Sequence, residues 1–220
     1  MTADVGAGER VDGRLLRGRR TRRAITEAYI ALLQEGVRNP RAEQVATRAG
    51  VGLRTVYNQF DDLEGLRAEA GAVRTEQMRA YMQPPPDPAL PLDRRATLFA
   101  TSRSAFLEAL TPYARAAEGR HAQSPELTRQ RDELVAASKD DLAACFAPEL
   151  ERHGGRARRR LLDALQVAAG WPAWNALRDE LRLDVPEARA CLQLAVTALL
   201  TAPGLLTAPG DASVDGGDAP

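Results

Sequence analysis

Three polar side chains with base-pairing chemistry are spaced so that they share one face of a short helix. Arg54, Thr55 and Asn58 point outward if Val56 and Phe60 anchor the inner face at i, i+4 spacing. Arginine pairs bidentately with guanine, asparagine pairs with adenine, and the threonine methyl group contacts thymine. The pattern indicates a helix that reads base edges in the major groove, although each residue taken alone is equally typical of a solvated surface.

Neighbouring groups have the chemistry to hold phosphates instead of reading bases. Tyr57, Thr55 and the backbone N–H groups at the start of the preceding helix are the nearest candidates. Arg22 and Arg41 are further candidates, because a guanidinium group pairs well with a phosphate. Such contacts would hold the base-reading helix in register on the DNA.

A helix–turn–helix over residues 41–60 is the element that must position these groups. Its first helix is expected to run from about Pro40 to Ala49, with Asn39 as the N-cap. Gly50–Gly52 supplies the turn, since glycine adopts positive φ without steric penalty. The second helix is expected from Leu53 to Phe60.

Positive charge is concentrated in the N-terminal part of the chain. The 220 residues carry no net charge, but residues 1–60 hold 11 Arg and 6 acidic residues, a net of +5 that leaves −5 on the remainder. Six of these Arg lie in Arg14–Arg23. We expect residues 1–18 to form a basic, flexible arm on the phosphates or in the minor groove, the alternative being a solvated tail.

The segment from Thr21 to Leu66 resembles the DNA-binding domain of the TetR family of bacterial transcriptional repressors. The ordered set of residues carries the resemblance, because a generic helix–turn–helix does not require Thr-Val-Tyr-x-x-Phe shortly after Ala-Gly-Val. The residues are Thr21, Arg22, Ile25, Ala28, Leu32, Gly36, Val45, Ala46, Ala49, Gly50, Val51, Thr55, Val56, Tyr57, Phe60, Glu64 and Leu66.

Three positions depart from the usual pattern of that family. Gly52 stands where Ser or Thr commonly caps the recognition helix, so a side-chain cap is lost. Leu63 stands where a Lys is usual, and the phosphate contact of that Lys is in question. Leu53 is apolar at a commonly polar position, where a thymine methyl group is a suitable partner.

The remaining chain predicts an all-α protein of about nine helices, because apolar residues recur with a helical period and strand-like alternation is missing from the sequence. Residues 19–66 are expected to form the three-helix DNA-binding domain, which continues into a linking helix to about residue 83. Pro84–Pro88 marks a boundary, after which residues 92–202 form a helical bundle and residues 203–220 a disordered tail. The helices expected outside the helix–turn–helix are Arg19–Glu35, Asp61–Gln83, Leu92–Leu110, Thr111–Arg120, Pro125–Phe146, Gly155–Leu181 and Pro186–Thr201.

The resemblance implies that the bundle binds a small molecule and forms a homodimer through its last two long helices. For the interface, apolar stripes on these helices are the candidates, with a wholly intramolecular core as the alternative: Leu161, Leu165, Ala168, Leu192, Val196 and Leu199. For the ligand, the candidates are the aromatic and polar residues of the middle helices, with core or seam packing as the alternative for the two Trp beside Pro172: Phe99, Arg103, Phe106, Tyr113, His121, Trp171, Trp174 and Asn175.

The function implied is that of a homodimeric repressor, released from a palindromic DNA operator by a small-molecule effector. An activator of the same architecture and a nonspecific nucleoid-type DNA binder are the alternatives. No enzymatic activity, metal or cofactor is expected, because the sequence has no HExxH, GxSxG or Gly-rich phosphate loop, and its two His are 32 positions apart.

A cytoplasmic location is expected, with no membrane association. Cys145 and Cys191 are isolated, as in a reduced intracellular protein, and the N-terminus shows no apolar signal region. The uncharged stretch Ala190–Gly210 is interrupted by Pro203, so it predicts a buried or interface helix and not a membrane span.

Overall fold

The computed structural model describes residues 5–79, 81, 84–118 and 125–202, and no strand occurs within these ranges. The prediction of an all-α protein is therefore confirmed. The α-helices are α1 (Val5–Gln34), α2 (Ala42–Ala49), α3 (Leu53–Gln59), α4 (Leu63–Arg79), α5 (Leu92–Ala117), α6 (Pro125–Cys145), α7 (Ala147–Leu150), α8 (Gly155–Ala168), α9 (Trp171–Asn175) and α10 (Val185–Thr201), with a π-helical turn at Ala176–Glu180. The tail expected over residues 203–220 lies outside the described residues.

The first helix begins earlier than expected. It starts at Val5 instead of about Arg19, so the described part of the arm predicted for residues 1–18 is helical. Arg, Leu and Ala have high helix propensity, and this outweighs the glycines within the segment. At the junction with the predicted helix, the Thr21 hydroxyl donates to the Arg17 carbonyl at 3.0 Å.

The helix–turn–helix has the predicted turn but a later start. Arg41 is the N-cap of α2 in place of Asn39, and its backbone N–H donates to the Gln44 side chain at 2.9 Å. Arg41 has the extended backbone of an N-cap, with φ −87° and ψ 155°, and the first helical residue is Ala42. The helix therefore begins after the proline and not with it.

The two helices predicted over Leu92–Leu110 and Thr111–Arg120 form a single helix, α5, in the structure. The boundary expected between Leu110 and Thr111 does not exist, because α5 continues through Pro112 to Ala117. Proline removes a single backbone hydrogen bond, and a helix can continue past it where neighbouring side chains hold both sides in a core. Here Ala116 is buried and Tyr113 packs against the same apolar cluster.

The single helix expected over Gly155–Leu181 is broken. It ends at Ala168, and a new helix begins after Gly170, with Pro172 in its first turn. A side chain at position 170 would meet the Gln166 carbonyl oxygen at 2.8 Å, so only glycine fits this backbone. Pro172 thus starts a helix instead of kinking one.

The described residues divide into two compact units. The first comprises Met1–Tyr81 and Glu108–Asp132, and the second comprises Met82–Leu107 and Glu133–Pro220. The end of α5 and the start of α6 therefore belong with the N-terminal helices, whereas the sequence places all of residues 92–202 in one bundle.

A continuous apolar core holds the first unit together. It joins α1, α2, α3 and α4 and receives Ala116 from α5. Its fully buried members include Ile25, Val45, Val56 and Leu66. Each such side chain stabilises the unit by about 1.5–3 kcal/mol relative to an exposed position.

The second unit is built around a buried ion pair and aromatic contacts. Arg95 donates to both carboxylate oxygens of Glu149, at 2.8 and 2.6 Å, and both residues are 3% exposed. The rings of Phe99 and Phe146 meet edge-on with centroids 5.3 Å apart. Burial, together with the nearby charge of Asp141, raises the pKa of the Cys145 thiol to about 12. None of the helices over the described ranges has the length and apolarity that crossing a membrane requires.

Candidate nucleic-acid interface

Two buried side chains anchor the recognition helix α3. Val56 is 1% exposed and Phe60 is 4% exposed, as their i, i+4 spacing predicts. The Arg22 guanidinium lies over the Phe60 ring, 4.0 Å from its centroid. This cation–π contact and the buried inner face hold α3 in one orientation on the first unit.

The turn before α3 uses glycine where a positive φ is needed. Gly50 has φ +67° and caps the end of α2, and the Val51 N–H donates to the Ala46 carbonyl at 3.0 Å. Val51 packs against the core. Gly52 is the N-cap of α3 and supplies no side-chain hydrogen bond, as the sequence predicts. The start of α3 is therefore held by its backbone and by the partly buried Val51.

The opposite face of α3 is open to solvent. Arg54 and Asn58 are exposed, Tyr57 is 50% exposed and Leu53 is 38% exposed, whereas Thr55 is half-buried. The exposed four follow i, i+1, i+4, i+5 spacing and so form one face of the helix. Near this face, Arg41 is exposed at the start of α2. We call Leu53, Arg54, Tyr57 and Asn58 the outer face of α3.

Arg22 has internal partners that the sequence did not reveal. It is paired with the Glu69 carboxylate at 2.5 Å and donates to the Gln59 carbonyl. Glu69 also accepts from the Thr26 hydroxyl at 3.0 Å. Arg22 thus ties α1 to the last residue of α3 and to α4, while its phosphate contact stays a prediction. Glu69 lies 47 positions away in the chain, so no local pattern pointed to it.

At the start of α4, Leu63 stands where a Lys is usual in the TetR family. Leu63 packs against the core of the first unit, and Asp62 accepts a hydrogen bond from the Gly65 N–H at 2.8 Å. A leucine here adds apolar contact but no cation. The structure therefore offers no replacement at this position for the phosphate contact of a lysine.

Replacing Leu63 by lysine is expected to strengthen DNA binding and its dependence on salt. Each added phosphate contact steepens the slope of log K against log salt by about 0.9, which makes about 1.8 for a dimer. The measurement is a salt titration of DNA binding by fluorescence anisotropy. Leu98→Lys is the matched control, since Leu98 is exposed in the second unit and gains the same charge. Equal slopes for both variants would rule out a phosphate near residue 63.

Three of the predicted ligand residues lie together in the second unit. The Arg103 guanidinium is 5.1 Å from the centroid of Phe99 and 5.6 Å from that of Phe106. It already has a counterion, because it donates to Asp141 at 2.9 Å and to the Ser138 hydroxyl at 2.9 Å. Burial lowers the pKa of Arg103 and raises that of Asp141, and each charge opposes the shift of the other. Arg103 is therefore neutralised without a ligand.

The other ligand candidates are dispersed. Trp174 is 1% exposed and belongs to the core of the second unit, while Trp171 and Asn175 are half-buried. Tyr113 lies in the first unit, and His121 is outside the described residues. Ligand binding at these positions stays a prediction.

Four of the six predicted interface residues are buried within the chain itself. Leu161 and Leu165 of α8, and Leu192 and Val196 of α10, are at most 2% exposed, whereas Ala168 and Leu199 are half-buried. Helices α8 and α10 contact each other within the chain, so these four side chains are covered without a partner, and their part in a dimer interface stays a prediction. The outward stripe of α10 is Ala190, Leu194 and Ala198, with Leu194 70% exposed.

The comparison with solved structures finds this fold in another protein. A protein from Mesorhizobium loti, described as a TetR-family transcriptional regulator, is 23% identical and superposes with a TM-score of 0.54 over 84% of this chain and 96% of that chain. No protein-family model matches the sequence, and no curated protein matches it. The resemblance seen in the helix–turn–helix is thus confirmed by the structure, at the level of the fold. The chain has the fold of a TetR-family transcriptional regulator.

Proposed function

We propose that the chain is a sequence-specific DNA-binding regulator of transcription, acting in the cytoplasm as a homodimeric repressor. The observation that carries the proposal is the outer face of α3. It presents Arg54, Tyr57 and Asn58 to solvent on a helix whose inner side is anchored by Val56 and Phe60. A guanidinium, a phenol and an amide on one short helix suit base and phosphate contacts in a major groove.

The charge distribution supports DNA as the partner. Residues 1–60 carry a net charge of +5, while the rest of the chain carries −5. Within the described first unit, Arg17, Arg19, Arg20 and Arg23 are exposed on α1. A basic surface beside a groove-reading helix attracts the phosphate backbone and steers association.

A homodimer is supported by the exposed apolar residues of the last helices. Leu194 lies between Ala190 and Ala198 on the outward stripe of α10, and Val167 of α8 is 73% exposed. Two copies of this stripe can cover each other across a two-fold axis. A dimer doubles the number of contacts with DNA. Two copies of α3 about 34–36 Å apart would fit successive major grooves of a palindromic site.

Release by a small molecule is proposed to act through α4. This helix begins three residues after Phe60, and in the first unit its Arg74 contacts α5 and its Ala68 contacts α6. The Gln130 amide of α6 approaches the Ala68 carbonyl at 3.5 Å, and a side chain at Gly71 would collide with Gln130. A ligand that displaces α5 or α6 must therefore move α4, and with it the position of α3.

Footprinting of the DNA upstream of the protein's own gene tests the proposal. We expect protection of one site with two-fold symmetry, and retention of that fragment over an excess of bulk DNA. Equal retention of bulk DNA would instead show a nonspecific nucleoid-type binder, and a protected site without symmetry would contradict the dimer. A reporter fused to the same DNA separates repression from activation.

A further inference from the structure

Three arginines of the described chain are buried, and one of them has no carboxylate partner. Arg95 is paired with Glu149, and Arg103 is paired with Asp141. Arg74, in the middle of α4, is 8% exposed, and within the described residues its polar contacts are a side-chain amide and a carbonyl. A buried charge without a counterion is costly, so the exception calls for a physical reason.

The surroundings of Arg74 leave one of its three guanidinium nitrogens without a hydrogen-bond partner. Its Nη2 donates to the Ala109 carbonyl of α5, and its Nη1 donates to the Gln77 side chain at 3.3 Å. The guanidinium carbon lies 4.4 Å from the centroid of the Tyr113 ring, also in α5. Its Nε is shielded from solvent and has no hydrogen-bond partner.

Tyr113, the residue against which Arg74 stacks, also has a poorly satisfied polar group. The Tyr113 hydroxyl is buried and makes no well-formed hydrogen bond, although the Gln34 side chain is close enough to oppose the rise in the Tyr113 pKa that burial causes. Buried polar groups of native proteins are almost always satisfied. The unsatisfied Nε of Arg74 and the poorly bonded hydroxyl of Tyr113 lie on two stacked side chains, and the Arg74 charge has no carboxylate partner. An acceptor with negative charge would meet all three needs.

We propose that Arg74 and Tyr113 bind the carboxylate of a small organic acid, and that this acid is the effector. The carboxylate would accept from Arg74 Nε and from the Tyr113 hydroxyl and would neutralise the buried guanidinium. Arg103 is less suited to the task because Asp141 already neutralises it. The role of the acid as an effector rests on the proposed function. The binding site rests only on the contacts of Arg74 and Tyr113.

The site is closed to solvent in the structure. Arg74 Nε and the Tyr113 hydroxyl have no solvent-accessible surface, so an acid can reach them only if α4 and the end of α5 separate. Helix α4 and the end of α5 belong to the first unit, which also contains α3. Binding thus selects a form of that unit in which α4 is displaced, and the acid is bound more tightly by that form.

Differential scanning fluorimetry of the full chain tests the site without DNA. The probes are sodium salts of straight-chain acids from acetate to octanoate, benzoate and inorganic phosphate, against sodium chloride at equal ionic strength. We expect at least one carboxylate to raise the Tm by about 5 °C at a hundredfold excess over its Kd. The Arg74→Met variant should lose this shift, and Tyr113→Phe, which lacks only the hydroxyl, should reduce it.

Arg38→Met is the matched control, because it removes an exposed arginine of the same unit and should keep the full shift. The proposal is overturned if no carboxylate raises the Tm of the wild type, if Arg74→Met keeps the shift, or if only phosphate stabilises. The acid that binds should also reduce retention of the upstream DNA. If the acid stabilises the protein but no DNA fragment is selectively retained, the acid site holds and the regulatory function fails.

Discussion

Replacing Arg54 by alanine is expected to abolish selective binding to the operator while the protein stays folded. A bidentate contact to guanine contributes about 1–3 kcal/mol of discrimination, and a dimer loses it twice, about 2–6 kcal/mol in total. Arg54 is exposed on the outer face of α3 and contributes nothing to the core. The measurement is a competition between the operator and bulk DNA by electrophoretic retardation.

Arg38→Ala is the control for the loss of charge. Arg38 is exposed in the first unit, and its removal takes away the same positive charge outside α3. We expect this variant to weaken operator and bulk DNA by similar, small factors. If Arg54→Ala weakens both DNAs equally as well, Arg54 contacts a phosphate and the base-reading role is wrong.

Replacing Glu149 by glutamine is expected to lower the free energy of unfolding by about 3 kcal/mol, because it leaves the charge of Arg95 buried without a counterion. Arg95 is held by the Glu149 carboxylate and by the carbonyls of Leu90 and Cys145. Glutamine keeps the shape of the side chain but not its charge. Denaturant unfolding at a fixed protomer concentration measures the loss, since a dimer makes stability depend on concentration.

The pH dependence of this loss has a definite sign. Burial alone raises the pKa of Glu149, but the hydrogen bonds and charge of Arg95 outweigh it, and the pKa is lowered from 4.5. The stabilisation by the carboxylate is therefore complete above pH 4.5 and declines as the pH falls through the lower pKa of the folded state. The difference between wild type and Glu149→Gln should shrink in the same range.

A double variant separates the cost of an orphaned charge from the value of the pair. Replacing Arg95 by methionine and Glu149 by leucine removes both charges and keeps apolar volume in the core. We expect it to be more stable than Glu149→Gln, because neither charge is left without its partner. Equal destabilisation by both variants would show that the pair itself, and not the orphaned cation, determines the stability.

The recognition element could be predicted because its determinants are local. Val56 and Phe60 are one helical turn apart, and the positive φ of Gly50 is a property of a glycine at the end of a helix. Together these residues orient α3, so the outward position of Arg54 and Asn58 followed from periodicity alone. The lack of a side-chain hydrogen bond from the N-cap Gly52 could be predicted for the same reason, since glycine has no side chain.

Helix boundaries were less predictable where proline and glycine compete with packing. Pro112 lies inside α5, although proline usually ends a helix, because Tyr113 and Ala116 hold the next turn in a core. At Gly170 the reverse occurs, and an apolar run that is helical in pattern is divided. In a helix interior proline costs about 3 kcal/mol and glycine about 1 kcal/mol, so contacts with other helices decide whether the helix continues.

By itself, the sequence determined the all-α fold, the helix–turn–helix and the exposed outer face of α3, because these depend on residues within a few turns of each other. Only the tertiary structure decided which carboxylate each arginine meets, since Glu69 lies 47 positions from Arg22 and Glu149 lies 54 positions from Arg95. The tertiary structure also shows that Leu192 and Val196 are buried, whereas Leu194 is exposed. Helical periodicity identifies the faces of a helix, but the neighbours that cover them come from distant parts of the chain.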